Sequence, residues 1–117
     1  MEIVNVTQST TLASYATVAD SFWSRGKGLI GRRRALEDYG LVIRPCNAIH
    51  TCFLSYPIDV LYLDQQSRVL RIFPSLRPWR IGPIVWRSKT VIELPAGTAA
   101  QTGTMIGDII EYRDEEP

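Results

Sequence analysis

Along most of the chain apolar and polar residues alternate in short runs, the period of two that marks strands with one buried face. Ile3-Val4-Asn5-Val6 opens as a short strand. Thr11 to Ala16 reads as a second, with Leu12, Ser14 and Ala16 alternating against Ala13 and Tyr15. Thr17 to Trp23 breaks the pattern. Val18, Phe22 and Arg25 fall at i, i+4 and i+7, with Ala19 and Trp23 beside them, which predicts a short N-terminal helix. Gly26 and Gly28 would end it, as glycines commonly do at helix C-termini.

The later apolar runs are short and divided by turn residues. Leu41-Val42-Ile43 reads as a buried strand stopped by Pro45. Ala48 to Leu54 and Ile58 to Leu63 follow as strands divided by Tyr56-Pro57. Asp64-Gln65-Gln66-Ser67 has turn composition, and Val69 to Phe73 returns as a strand. Two prolines and a glycine make Leu76 to Pro83 a loop, with Ile84-Val85-Trp86 and Thr90 to Leu94 as strands beyond it. Pro95-Ala96-Gly97 turns into a short segment ending at Gly103, and Asp108 to Arg113 is the last strand. About eight short strands and one helix predict a mainly β fold, a sandwich or a barrel. A parallel α/β fold would need a helix between successive strands, and helices are too few.

A length of 117 residues with 45% hydrophobic content suits a single domain over 1–117, large enough to bury a core without disulfide or metal staples. The longest uncharged stretch, Ile3 to Ala19, is rich in Thr, Ser, Asn and Gln, so no bilayer span is expected there. Met1-Glu2 begins no basic and apolar leader, and no secretory signal is expected. The two cysteines are Cys46 and Cys52. On one extended strand they would lie about 20 Å apart, beyond the ~7 Å that a disulfide spans. The expectation is a cytoplasmic protein with no membrane partner.

Net charge is +1, but it is unevenly spread. Residues 1–24 sum to −2, residues 25–90 to +8 and residues 91–117 to −5. The basic middle can face phosphates or another polyanion. Alternatively, its arginines alternate outward and the acidic tail neutralises them in space. The second reading is simpler, so weak nucleic-acid binding stays a disfavoured alternative. Eleven of the thirteen bases are Arg, the side chain suited to forked recognition of carboxylate or phosphate.

The densest polar constellation is Cys46-Asn47-Ala48-Ile49-His50-Thr51-Cys52. On a strand, Cys46, Ala48, His50 and Cys52 would share one face and Asn47, Ile49 and Thr51 the other. His50 and Cys52 would then be about 6.6 Å apart, near enough to share a metal. They are the weak candidates, and no metal is expected. A His hydrogen-bonded near the core, with Cys packed as a small hydrophobe, is the simpler reading. A Cys-His nucleophile pair would further need an oxyanion donor, and Asn47 points to the wrong face for it.

Leu76-Arg77-Pro78-Trp79-Arg80 is the second constellation. Two Arg flank an indole that can stack on a base, a sugar or an Arg plane, or can equally plug one end of a sandwich. Arg25 and Arg32 frame a glycine-rich turn, Gly26-Lys27-Gly28-Leu29-Ile30-Gly31. Its glycines follow a helix rather than precede one, which makes a poor phosphate cradle. Asp59, inside Pro57-Ile58-Asp59-Val60-Leu61, calls for an Arg partner from the Arg77–Arg80 loop or Arg25.

Together these motifs resemble one family. Arg25 to Arg32 is similar to an R-x-x-G-L-M-G-R signature, and Cys46 to Asp64 to a C-N-x-I-H-T-x-F-M-x-x-P-I-D-V-x-F-L-D block. Leu76 to Arg80 matches L-x-P-W-R, Glu93 to Gly97 matches E-L-P-A-G, and Gly107-Asp108 matches a closing G-D. In this order, over residues 11–112, they resemble the domain of unknown function 192 family in its His-Thr, cytoplasmic-type branch. The resemblance implies a small jelly-roll-like β-sandwich and no established activity, cofactor or catalytic residue. Ile30 stands where the family has Met, and Cys52-Phe53-Leu54 where Phe-Phe-Met is common.

The expected function is a binding or accessory module for a small anionic ligand, with no cofactor, as a monomer or weak dimer. Its polar pocket would draw on Arg25, Arg32, Asn47, His50, Thr51, Asp59, Trp79 and Arg80. The alternative from another class is a small hydrolase or metal-dependent enzyme using His50 with Cys46 or Asp59.

Overall fold

A computed structural model describes residues 1–19, 37–49, 51 and 56–114, and these hold eight strands and one short helix. β1 (Glu2–Asn5), β2 (Thr10–Ala13) and β8 (Ile110–Arg113) form an antiparallel sheet in the order β2-β1-β8. β3 (Tyr15–Ala19), β4 (Tyr39–Ile43), β5 (Ile58–Leu63), β6 (Val69–Leu76) and β7 (Thr90–Pro95) form a second, ordered β3-β4-β7-β5-β6. The fold is mainly β. β3 and β4 pair in parallel. The helix α1 (Thr98–Gln101) is a single turn between β7 and β8. Among the described residues no helix is long and apolar enough to cross a membrane.

Strand alternation divides the apolar residues between two cores. Ile92 and Leu94 of β7 join Ile3, Leu12, Ala13, Val42, Leu61 and Ile110 between the two sheets. Val91 lies on the outer face of the five-stranded sheet with Leu41, Ile43, Ile58, Val60 and Tyr62. All of β5 and nearly all of β7 is buried. Both faces of these central strands are therefore covered, which is why they read as almost unbroken apolar runs. At Gly40 on β4 the sheets approach closely: a Cβ there would lie 2.8 Å from Ile3 Cδ1 and 3.1 Å from Ala13 Cβ.

Several expectations change. Thr17, Val18 and Ala19 belong to β3 rather than to a helix, paired with Leu41, Val42 and Ile43. Thr and Val suit a strand, and pairing with β4 outweighs the four-residue spacing. Residues 20–23 of that expected helix, and its glycine end, lie outside the described residues. The helix among the described residues, α1, stands near the C-terminus. Ile84 to Trp86 is irregular chain, with Ile84 and Trp86 exposed, so its apolar run is surface and not strand. Ala48, Ile49 and Thr51 are not in a regular strand either.

Candidate functional site

The Cys46 to Thr51 segment and the Leu76 to Arg80 loop, apart in sequence, lie side by side. Backbone N–H groups of Val85 and Gly82 donate to the carbonyls of Asn47 and Ile49 at 2.9 and 2.8 Å. Thr51 and Trp79 continue the contact: Thr51 N–H donates to Arg80 O at 2.8 Å, and Trp79 N–H to Thr51 O at 3.0 Å. The fully buried Thr51 hydroxyl pins the loop further, donating to Arg77 O at 2.5 Å and accepting from Arg80 N–H at 2.8 Å. A threonine one place after His50 therefore holds the backbone that displays Trp79 and Arg80.

Tyr62 supports the same loop from below. Its hydroxyl donates to Pro83 O at 2.9 Å, and burial pushes its pKa up to about 12. Gly82 is packed over that hydroxyl so closely that a Cβ would come to 2.5 Å from it. No larger residue fits without moving Tyr62 or the loop. The Cys46 thiol donates to Ala48 O at 3.0 Å, a turn contact that departs from the extended strand on which the face assignment of His50 and Cys52 was based.

Two carboxylates stand at the centre of the five-stranded sheet, and they face opposite ways. Asp59 on β5 points toward the inter-sheet core. It accepts from Ser75 N–H through Oδ1 and from Ala99 N–H through Oδ2, both at 2.8 Å. Ser75 has a left-handed backbone, φ 50°, where the register of β6 against β5 shifts. Asp59 thus ties an edge-strand irregularity to the first turn of α1. Among the described residues its partners are two backbone amides and no Arg, and it lies on the other face of the sheet from the pinned loop.

Glu93 on β7 faces outward between Leu41 of β4 and Val60 of β5. It is buried, no described residue hydrogen-bonds its carboxylate, and burial pushes its pKa up to about 7. Sequence reasoning quoted Glu93 only as part of E-L-P-A-G. The available signal was an acid inside the apolar run Val91-Ile92-Glu93-Leu94. Asp108 of the G-D motif is a third buried acid. It takes hydrogen bonds from Asn5 at 3.0 Å, Gln8 at 3.1 Å and Met105 N–H at 2.8 Å. Burial works to raise its pKa, but these three donors hold it below the ordinary value.

The pinned loop carries the charged surface. Arg77, Arg80 and Arg87 are exposed, with Arg71 of β6 also exposed. Among the described residues the only ion pair is Arg113 with Glu111, so none of these four has a described acid as partner. Leu70, Arg71, Pro83, Ile84, Val85, Trp86 and Arg87 line an open groove of about 430 Å³. It offers two guanidinium groups beside an indole. Arg71, Trp86 and Arg87 are not among the pocket residues expected from the sequence, although Arg71 and Arg87 fall in its basic middle; the absence of any acid between Asp64 and Glu93 is the signal that marks them.

Of the residues expected in one pocket, the structure brings Asn47, Thr51, Trp79 and Arg80 together and sets Asp59 apart. Arg25, Arg32, His50 and Cys52 lie outside the described residues. Among the described residues no three His, Cys, Asp or Glu side chains gather to hold a metal ion.

The profile of the DUF192 family, described as "Uncharacterized ACR", matches residues 3–112. A UPF0127 protein of Pyrococcus horikoshii is 33% identical over 94% of this chain and 97% of its own length. A UPF0127 protein of Thermococcus sibiricus is 31% identical over 97% of this chain and 76% of its own. A crystal structure of a protein of unknown function from Novosphingobium aromaticivorans is similar in fold. Its TM-score is 0.80 at 19% identity, covering 95% of this chain and 82% of that one.

Proposed function

The chain belongs to the DUF192 family, and within it we propose that this protein is a binding module for a small anionic ligand. The observation that carries this reading is the groove lined by Arg71, Trp86 and Arg87, whose two cations no described acid neutralises, with Arg80 on the same pinned loop. Guanidinium forks suit a carboxylate or phosphate, and the indole suits a flat apolar body attached to it. Thr51 contributes by holding the loop in place before the ligand arrives, which lowers the ordering cost of binding. Asn47 is bonded to the same loop through its carbonyl. His50, Arg25 and Arg32 enter the proposal on their place in the sequence motifs, His50 as the neighbour of Thr51. A cytoplasmic location accompanies it, on the two-cysteine composition.

Thermal unfolding against a panel of small carboxylates and phosphates tests the proposal. A ligand at a hundredfold excess over its Kd should stabilise the fold by roughly 2.7 kcal/mol. Arg80→Ala and Arg87→Ala should fold normally and lose that shift. Full retention of the shift in both variants removes the loop from the site.

A further inference from the structure

Four of the chain's large exposed hydrophobic residues fall within eight positions of this one loop. Trp79, Ile81, Ile84 and Trp86 are 58%, 82%, 56% and 79% exposed. Soluble proteins scatter such residues singly, and a cluster of them marks a surface that meets something apolar. The loop has no regular secondary structure between Leu76 and Thr90. Pro78 and Pro83 restrict it, and the Thr51 and Tyr62 hydrogen bonds tie its base to the sheet. These exposed apolar side chains therefore sit on a loop with a fixed base.

Charge selects the kind of surface. Between Asp64 and Glu93 the chain contains Arg68, Arg71, Arg77, Arg80, Arg87 and Lys89 and no acid. Arg77, Arg80 and Arg87 alternate with the exposed indole and isoleucine side chains. Trp residues settle at the boundary between headgroups and acyl chains, and basic residues beside them meet anionic headgroups. Two Trp, two Ile and three Arg exposed on one loop match that layered chemistry.

We propose that the 77–87 loop docks this protein on an anionic lipid surface, with Trp79, Ile81, Ile84 and Trp86 entering the interface and the arginines engaging headgroups. The loop rests on the membrane and does not cross it. This goes beyond the binding of a small anion, although it uses some of the same arginines.

The test is co-sedimentation of the full chain with vesicles of phosphatidylcholine alone, and of phosphatidylcholine with phosphatidylglycerol in equal parts. Binding is expected to the mixed vesicles, with a blue shift of tryptophan emission, and to weaken as salt is added. Ile81→Ser lies outside the groove, so it separates docking from small-ligand binding; it should lower vesicle affinity about tenfold. Arg77→Ala should lower it roughly fivefold. Circular dichroism and unchanged thermal unfolding confirm that each variant folds.

Failure of the wild type to sediment with mixed vesicles overturns the proposal. So does sedimentation that Ile81→Ser and Arg77→Ala leave unchanged. If vesicles are ignored but a small anion still stabilises the fold, docking fails and the binding-module reading survives. If vesicles bind and no small anion does, the reverse holds. A concentration-dependent dimer abolished by Ile81→Ser, without vesicle binding, would assign the loop to a second copy of the chain and overturn membrane docking.

Discussion

The two faces of the five-stranded sheet handle a buried acid in opposite ways. On the inner face Asp59 accepts two backbone N–H groups at 2.8 Å and joins β6 to α1. On the outer face Glu93 sits between Leu41 and Val60 with no described donor, and burial pushes its pKa up to about 7. The strands are adjacent and the burial is similar. What differs is whether backbone amides converge on the carboxylate. A buried acid is a structural tie where they do, and where they do not it is costly to ionise and keeps its proton well above the ordinary carboxyl range.

The largest effect should come from breaking the satisfied side. Asp59→Ala leaves the Ser75 and Ala99 amides without their acceptor, and should cost about 4 kcal/mol in urea unfolding. A loss below about 1 kcal/mol would mean that the two bonds are replaced by water at little cost.

The unsatisfied side predicts a pH dependence of definite sign. Glu93 has a raised pKa in the folded state, about 7 against an ordinary 4.5. The folded state therefore binds the proton more tightly, so the Glu93 contribution to stability is full below pH ~4.5 and is lost as pH rises to ~7. Above that range the loss levels off at roughly 3 kcal/mol. Glu93→Gln should remove this slope, leaving the variant more stable than wild type above neutrality. Equal slopes in both proteins would show that Glu93 stays paired in solution. Asp108 works the other way: its pKa is lowered, so its contribution is present at neutral pH and is lost as acid protonates it.

Thr51→Val keeps the shape of the side chain and removes the hydroxyl that links Arg77 O and Arg80 N–H. A cost of about 2 kcal/mol is expected, with faster amide exchange at Arg80 and Gly82 and slow exchange preserved in β5. The smallest expected effect, about 1–2 kcal/mol, is that of Gly40→Ala, which crowds Ile3, Ala13 and Leu94 between the sheets. It should spare the outer face, so any ligand shift assigned to the loop should survive it.

The legible part of the fold was where one strand decides its own pattern. Ile58–Leu63 and Thr90–Pro95 are close to the runs read from sequence, because central strands covered on both sides need apolar residues at almost every position. Thr17–Ala19 was not legible. Its four-residue spacing suits a helix, while its β-branched residues find a parallel partner in Leu41–Ile43, far along the chain. Ile84–Trp86 misled for the opposite reason: apolar residues that face solvent carry the same letters as apolar residues that face a core.

The site divides along similar lines. The sequence alone determined that this is a mainly β chain with an arginine-rich, acid-free stretch from Asp64 to Glu93, and that Thr51 and the Leu76–Arg80 loop stand in distinctive motifs. Only the tertiary structure decided that Thr51 pins that loop, that Asp59 faces away from it, and that Arg71 and Arg87 line one groove. The physical reason is the partner involved. Composition and strand period are carried by side chains that the letters name, whereas Thr51 and Asp59 are bound by backbone N–H and C=O groups that every residue possesses. Which of those groups comes within reach is settled by sheet register and loop path.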